Sequence, residues 1–213
     1  MKDIAIYGAG GFGREIACLI QLINENVPTW NFIGFFDDGI EKGVMNKYGK
    51  ILGGINDLNT WKKELAIAVA IGSPIILQKV VGNIKNRLIF FPNIIAPDMI
   101  FLDESSVKLG KGNIICSRSL ISCQVEIGDF NLFNGYILVG HDTKIGSYNV
   151  FMPSINISGE VTIGDTNFMG VSSVILQQIK IGYGVRVGAG SVIMRKTENN
   201  ELYVGNPAVK FRF

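Results

Sequence analysis

From residue 109 onward the chain places a large apolar residue at every sixth position. The series runs Leu109, Ile115, Ile121, Ile127, Phe133, Val139, Ile145, Phe151, Ile157, Ile163, Met169, Ile175, Ile181, Val187, Ile193, and it stops at Asn199. With 47% hydrophobic residues overall, an unbroken run in a chosen phase arises by chance on the order of 10⁻⁵. Two residues before each rung the side chain is smaller, β-branched or Asn, and one column reads Asn113, Asn131, Asn149, Asn167. Residues two apart in a strand share a face. Each hexad therefore predicts a short strand with a large and a smaller residue inward, followed by a turn. Glycine follows the rung at Gly110, Gly128, Gly146, Gly164 and Gly182, a spacing of three hexads. Three hexads make one triangular coil, and five coils stack at about 4.8 Å each. The Asn column either forms a hydrogen-bonded ladder along the stack or uses turn-tolerant residues where the chain bends. Both readings are catalytically silent.

The first 92 residues follow a different rhythm. An apolar strand, Asp3 to Tyr7, enters a glycine-rich turn (Gly8, Gly10, Gly13) and then a helical pattern. This G-x-G-x-x-G spacing suits a tight turn, close backbone approach to phosphate oxygens and free N–H groups at a helix N-terminus. A second strand, Phe32 to Phe36, ends in Asp37-Asp38, where an acid can accept hydrogen bonds from a ribose or base. A third, Leu65 to Ile71, runs into Gly72-Ser73-Pro74 and another helix, and a short strand spans Leu88 to Phe91. Alone the motif suggests NAD, or a purely structural glycine turn. The domain is about half of a full dinucleotide-binding fold, and no hydride-transfer acid accompanies it. The predicted organisation is a small α/β Rossmann-like domain (1–92) followed by an all-β domain with a C-terminal tail (93–213).

Composition removes several classes of function. Net charge is +2 and 18% of residues are charged, with no basic stripe to suggest nucleic acid. Cys18, Cys116 and Cys123 lack CxxC spacing; an odd count without a framework fits free thiols in a reducing cytoplasm. The apolar run at the N-terminus ends at Gly8, too soon for a signal peptide. No uncharged apolar stretch reaches the ~18 residues of a membrane span. The expected protein is soluble and cytoplasmic.

His141 is the only histidine. One histidine cannot furnish the several ligands of a catalytic zinc, so no metal is expected. It stands two residues after the inward Val139, hence at a corner between hexads, where it is either a solvated polar residue or a base. Neutral imidazole, with its pKa near 6.5, removes a proton from an attacking amine or hydroxyl at cytoplasmic pH. Asp142 either holds the ring's tautomer or caps the turn. Cys116 and Cys123 have no histidine nearby in sequence and are expected to be inert.

The hexapeptide pattern from Asp103 to Met194 resembles the left-handed parallel β-helix of the hexapeptide-repeat acyltransferases. Joined to the glycine-rich domain, the whole chain resembles the sialic acid O-acetyltransferase and UDP-4-amino-sugar N-acetyltransferase family. "NGYILVGHD" matches the family stretch in which an Asn precedes the catalytic His by seven residues, here Asn134 and His141, with the acid Asp142 next. The resemblance implies a homotrimer with active sites between adjacent subunits. It implies acetyl-CoA as co-substrate, with Gly159 at the pantetheine arm and Gly170, Val171, Gly188 and Ala189 further along it. These small residues also fit tight corners on their own account. "VGNPA" near the C-terminus resembles the family's terminal motif, which places Lys210 and Arg212 at coenzyme phosphates. Gly10, Gly11 and Phe12 would face an acceptor's diphosphate, and Asp37 and Asp38 its uridine. Where many relatives carry a second histidine near the coenzyme, this chain has Val150. The expected function is acetyl transfer from acetyl-CoA to a UDP-linked amino sugar in bacterial surface-glycan synthesis, with His141 as base. The alternatives are O-acetylation of sialic acid or a related sugar, and a non-catalytic nucleotide-binding trimeric scaffold.

Overall fold

The computed structural model describes residues 1–211 and divides into two compact units, Met1–Pro97 and Asp98–Phe213. The sequence boundary at 92/93 thus falls five residues early.

The first unit is a five-stranded sheet in the order β3-β2-β1-β4-β5, every pairing parallel. Its elements are β1 (Lys2–Tyr7), α1 (Gly11–Asn26), β2 (Trp30–Phe36), β3 (Ile51–Gly53), α2 (Ile55–Asn59), β4 (Leu65–Val69), α3 (Pro74–Asn83) and β5 (Ile89–Phe90). This is the strand order of a Rossmann-type sheet without its sixth strand. β4 (LAIAV) is buried at every position, which is why it reads as a continuous apolar run rather than an alternation. It ends at Val69 rather than Ile71, leaving residues 70–73 as the loop into α3. β3 and α2 were not legible in sequence, because three and five residues are too few to show a period. The helix α1 buries Ile16, Ala17, Leu19 and Ile20 along one stripe.

The second unit is a parallel β-helix. Each coil contributes a two-residue strand to each of three faces, and partners lie 18 residues apart, as in Leu132↔Val150, Leu138↔Asn156 and Lys144↔Thr162. Face I runs from Ile114–Ile115 to Arg186–Val187, face II from Ile100–Phe101 to Val192–Ile193, and face III from Lys108–Leu109 to Lys180–Ile181. The inward rungs from Ile115 to Ile193 are buried, at most 4% exposed, and Phe133 stacks on Phe151 at 4.8 Å between ring centroids. The five predicted coils are present. A sixth strand on face II, Ile100–Phe101, pairs with Leu120–Ile121. It escapes the period because two extra residues and a 3₁₀ turn, Glu104–Ser106, separate it from the first rung. At the far end Arg186 pairs with Leu202, and a hairpin of Leu202–Gly205 and Ala208–Phe211 extends face I.

The Asn column is a ladder. Asn113 Oδ1 accepts both the backbone and side-chain N–H of Asn131, at 2.8 and 3.1 Å, and Asn131 Oδ1 does the same for Asn149 at 2.9 Å. The ladder ends where Val185 donates its backbone N–H to Asn167 Oδ1. The corners are equally regular. From Arg118 to Gln178 every sixth residue has φ between 54 and 66°. That left-handed region costs a non-glycine residue about 1–2 kcal/mol. Offsetting it, corner amides donate to the coil before: Tyr136 to Ser117, Asp142 to Cys123, Glu160 to His141.

Candidate active site

His141 and Asp142 lie at the corner from face II to face III. Asp142 has φ 55°, so the pair escapes the alternation of an extended strand and both side chains meet. His141 Nδ1 is 2.7 Å from Asp142 Oδ2, with both side chains half exposed. A carboxylate at that distance favours the neutral tautomer protonated at Nδ1, which leaves the Nε2 lone pair free.

The column through this corner reads Cys123, His141, Gly159, Gln177, one residue per coil. The ring is laid toward the following coil, over Gly159: a Cβ at Gly159 would sit 2.5 Å from His141 Nε2 and 2.7 Å from Cε1. Gly159 therefore provides the room the imidazole occupies. Cys123, distant from the histidine by sequence neighbours, stands one coil before it in space. Cys18 and Cys123 are free thiols.

One residue further along each coil the corner carries Asp142, Glu160 and Gln178. Glu160 is a site feature that sequence reasoning missed. Its Oε1 accepts from Gln177 Nε2 at 2.8 Å and its Oε2 from Gln178 Nε2 at 2.9 Å. The Gln178 and Gln177 hydrogen bonds hold its carboxyl below the usual carboxylate range, and a protonated His141 ring adds to this. Its 18-residue offset from Asp142 was the available clue. On the face III side, Asp142 shares a cavity of about 450 Å³ with Lys108, Glu126 and Lys144.

The other expected residues are at the opposite edge of face II. Asn134, Gly170 and Gly188 close face I, and Val171 and Ala189 turn the corner into face II. Within one chain Asn134 and His141 are thus on different corners of the same coil and form no hydrogen bond with each other. Gly170 is required by packing, since a Cβ there would lie 2.6 Å from Ala189 N. Val171 and Ala189 are exposed. Val150 is buried on face I. Lys210 is paired with Glu198 at 2.8 Å and Glu201 at 2.7 Å, and these bonds raise its pKa. A phosphate would have to compete with both carboxylates. Arg212 lies outside the described residues.

In the first unit the candidate residues gather at the carboxyl ends of β1 and β2. The glycines divide by role. Gly8 has φ +105° and Gly13 would place a Cβ 1.9 Å from Gly8 O, so both are demanded by the fold. Gly10 and Gly11 have nothing within 4 Å of a Cβ and open the α1 N-terminus to solvent, with Phe12 half-buried beside them. Asp37 accepts from Ala9 N at 2.8 Å and from Gly39 N at 2.9 Å, pinning the glycine turn to β2. Asp38 accepts from Tyr7 Oη and from Ile55 N at the start of α2. Both acids thus already serve the scaffold, and a uridine would use their remaining lone pairs. Burial first, then the Asp38 hydrogen bond, drives the Tyr7 phenol well above its usual range. Among the described residues, no helix is long and apolar enough to cross a membrane. No group of three or more His, Cys, Asp or Glu could hold a metal ion among those residues.

A small Rossmann-type unit followed by a parallel β-helix of hexads is the architecture of the hexapeptide-repeat acyltransferases. Residues 3–84 match the PglD N-terminal domain family. No curated protein matches the chain in sequence. Among solved structures, the chain is similar to the acetyltransferase domain of PglB from Neisseria gonorrhoeae in complex with acetyl coenzyme A. The identity is 26%, 99% of each chain is covered and the TM-score is 0.88. WeeI from Acinetobacter baumannii is 29% identical over 99% of this chain and all of its own, with a TM-score of 0.88. PerB from Caulobacter crescentus, in complex with CoA and GDP-perosamine, is 24% identical over 100% of this chain and 98% of its own, with a TM-score of 0.87. Residues 3–84 carry the PglD N-terminal domain, and the whole chain is similar to these sugar acetyltransferases and shares their left-handed parallel β-helix.

Proposed function

We propose that this protein transfers an acetyl group from acetyl-CoA to the amino group of a UDP-linked amino sugar used in bacterial surface-glycan synthesis. The observation that carries the reading is the His141–Asp142 pair, its ring seated in the space left by Gly159 with Nε2 free. His141 Nε2 takes a proton from the amine as its nitrogen attacks the thioester carbonyl. The C–N bond forms, the tetrahedral intermediate collapses, the C–S bond breaks, and the proton passes to the leaving thiolate. Asp142 keeps Nδ1 protonated and stabilises the transient imidazolium. The acetyl-CoA bound by the Neisseria gonorrhoeae domain supports the donor. The open amides at Gly10 and Gly11, with Phe12, Asp37 and Asp38, are the proposed acceptor-nucleotide site.

The working unit in this reading is a homotrimer. Face II exposes Ile100, Leu138, Leu176 and Met194, an apolar strip of the kind that marks an interface. It separates the His141 corner from the corner of Asn134, Gly170, Val171, Gly188 and Ala189. In a heterologous contact the second corner of one subunit meets the first corner of the next, assembling base, Asn134 and coenzyme groove. Free thiols fit a cytoplasmic setting. The test is a screen of UDP-amino sugars with acetyl-CoA, reading released thiol. Turnover on an amino sugar and none on its hydroxyl counterpart supports the reading; turnover on sialic acid alone overturns it.

A further inference from the structure

We propose that Glu160 is a positioning residue of the acyl transfer, a fixed anion one coil beyond His141 that favours the imidazolium as the ring takes up the acceptor's proton. The inference rests on His141 being the base.

Three observations converge. Gly159, over which the imidazole lies, immediately precedes Glu160, and the Glu160 amide donates to the His141 carbonyl at 2.8 Å. The coil holding the ring therefore also sets the position of the carboxylate. Each carboxylate oxygen is then held by a different amide, Gln177 Nε2 and Gln178 Nε2. Two glutamines spent on one exposed acid fix its rotamer and keep it ionised, which an ordinary surface glutamate does not need. Finally, Asp142 and Glu160 occupy successive positions of one left-handed corner column, and a protonated His141 ring lowers the Glu160 carboxyl through space. Asp142 bonds Nδ1 directly, whereas Glu160 acts through space. A nearby anion favours the protonated ring, and that is the form created as the nucleophile attacks. The other titratable or charged groups around this corner are Cys123 on the preceding coil and, across face III, Lys108, Lys144 and Glu126.

His141 is the only histidine, so in full-length protein carrying ¹³C-histidine its ring gives a single resonance that titrates by itself. In Glu160→Gln the midpoint of that titration is expected at lower pH than in the parent, by an amount that shrinks in 0.5 M salt. kcat is expected to fall about threefold to tenfold, with the KM of both substrates unchanged. The double variant Gln177→Ala/Gln178→Ala is expected to shift the same way by less. An unmoved midpoint in Glu160→Gln overturns the proposal, as does a raised acceptor KM with the midpoint in place, which would make Glu160 a substrate contact. The titration does not depend on turnover. Activity retained by His141→Ala would therefore sink the general-base reading while leaving the measured coupling between Glu160 and His141 in place.

Discussion

His141 is held by two unequal supports, and removing each gives a different loss. His141→Ala takes away the proposed base, and turnover should fall by about 10²–10⁴-fold; a thiol-release assay with the assembly state checked by light scattering measures this. Asp142→Asn keeps the size of the partner but releases the Nδ1 proton preference, and a smaller loss of about tenfold to a hundredfold is expected. Gly159→Ala is the more discriminating change. Gly159 has no left-handed φ, so alanine suits the backbone and only the ring is displaced. The variant should melt within a few degrees of the parent yet lose activity comparably to Asp142→Asn. Normal activity in Gly159→Ala would show that the seat under the imidazole is immaterial. Tyr7 makes a separate, pH-dependent prediction. Its folded pKa is raised above the unfolded 10.0, so the folded state keeps a proton that the unfolded state gives up. Stability linked to Tyr7 is present below pH 10 and falls as pH rises beyond it. Tyr7→Phe should flatten the alkaline limb of a denaturation series measured from pH 9 to 11.

At the scale of elements, the β-helix was legible almost completely, because each coil repeats one steric problem. A large rung, a small or Asn partner and a left-handed corner recur every six residues, and the strands at Ile94–Ile95 and Ile100–Phe101 and the terminal hairpin are the parts that escaped. The Asn column tests how much of the stability lies in that repetition. Asn131 is fully buried, donates to Gly146 O at 2.9 Å and accepts two N–H groups from Asn149. Asn131→Ala strands those partners, and a loss of about 3 kcal/mol is expected in urea unfolding. The first unit was less legible, since β3 and α2 are too short to carry a period, and the bonds that commit Asp37 and Asp38 to the scaffold join residues 28 and 17 apart. The site shows the same limit. His141 and Asp142 were legible as a corner pair. The converging geometry needed the positive φ of Asp142, and the Glu160 clamp needed the stacking of one coil on the next.

At the scale of the molecule, one chain holds the parts of the proposed site at two edges of one face. His141, Asp142 and Gly159 are at the far corner of face II, and Asn134 with the exposed Val171 and Ala189 is at the near one. If assembly joins these corners, each site takes its base from one subunit and its Asn134 from the next. Leu138, 42% exposed in the middle of face II, is the place to break that assembly. Leu138→Glu should yield smaller species in sedimentation and lose activity although the His141–Asp142 pair is untouched. Complementation is the stricter measurement. In the proposed trimer, assemblies of His141→Ala subunits and assemblies of Asn134→Ala subunits should each be impaired. When the two are co-expressed and assemble at random, half the bases and half the asparagines are intact, and they meet independently at each interface. About a quarter of the sites should then be complete, and activity should rise toward that fraction. A mixture no more active than its components would place the whole site on one chain and leave the apolar strip of face II to some other contact.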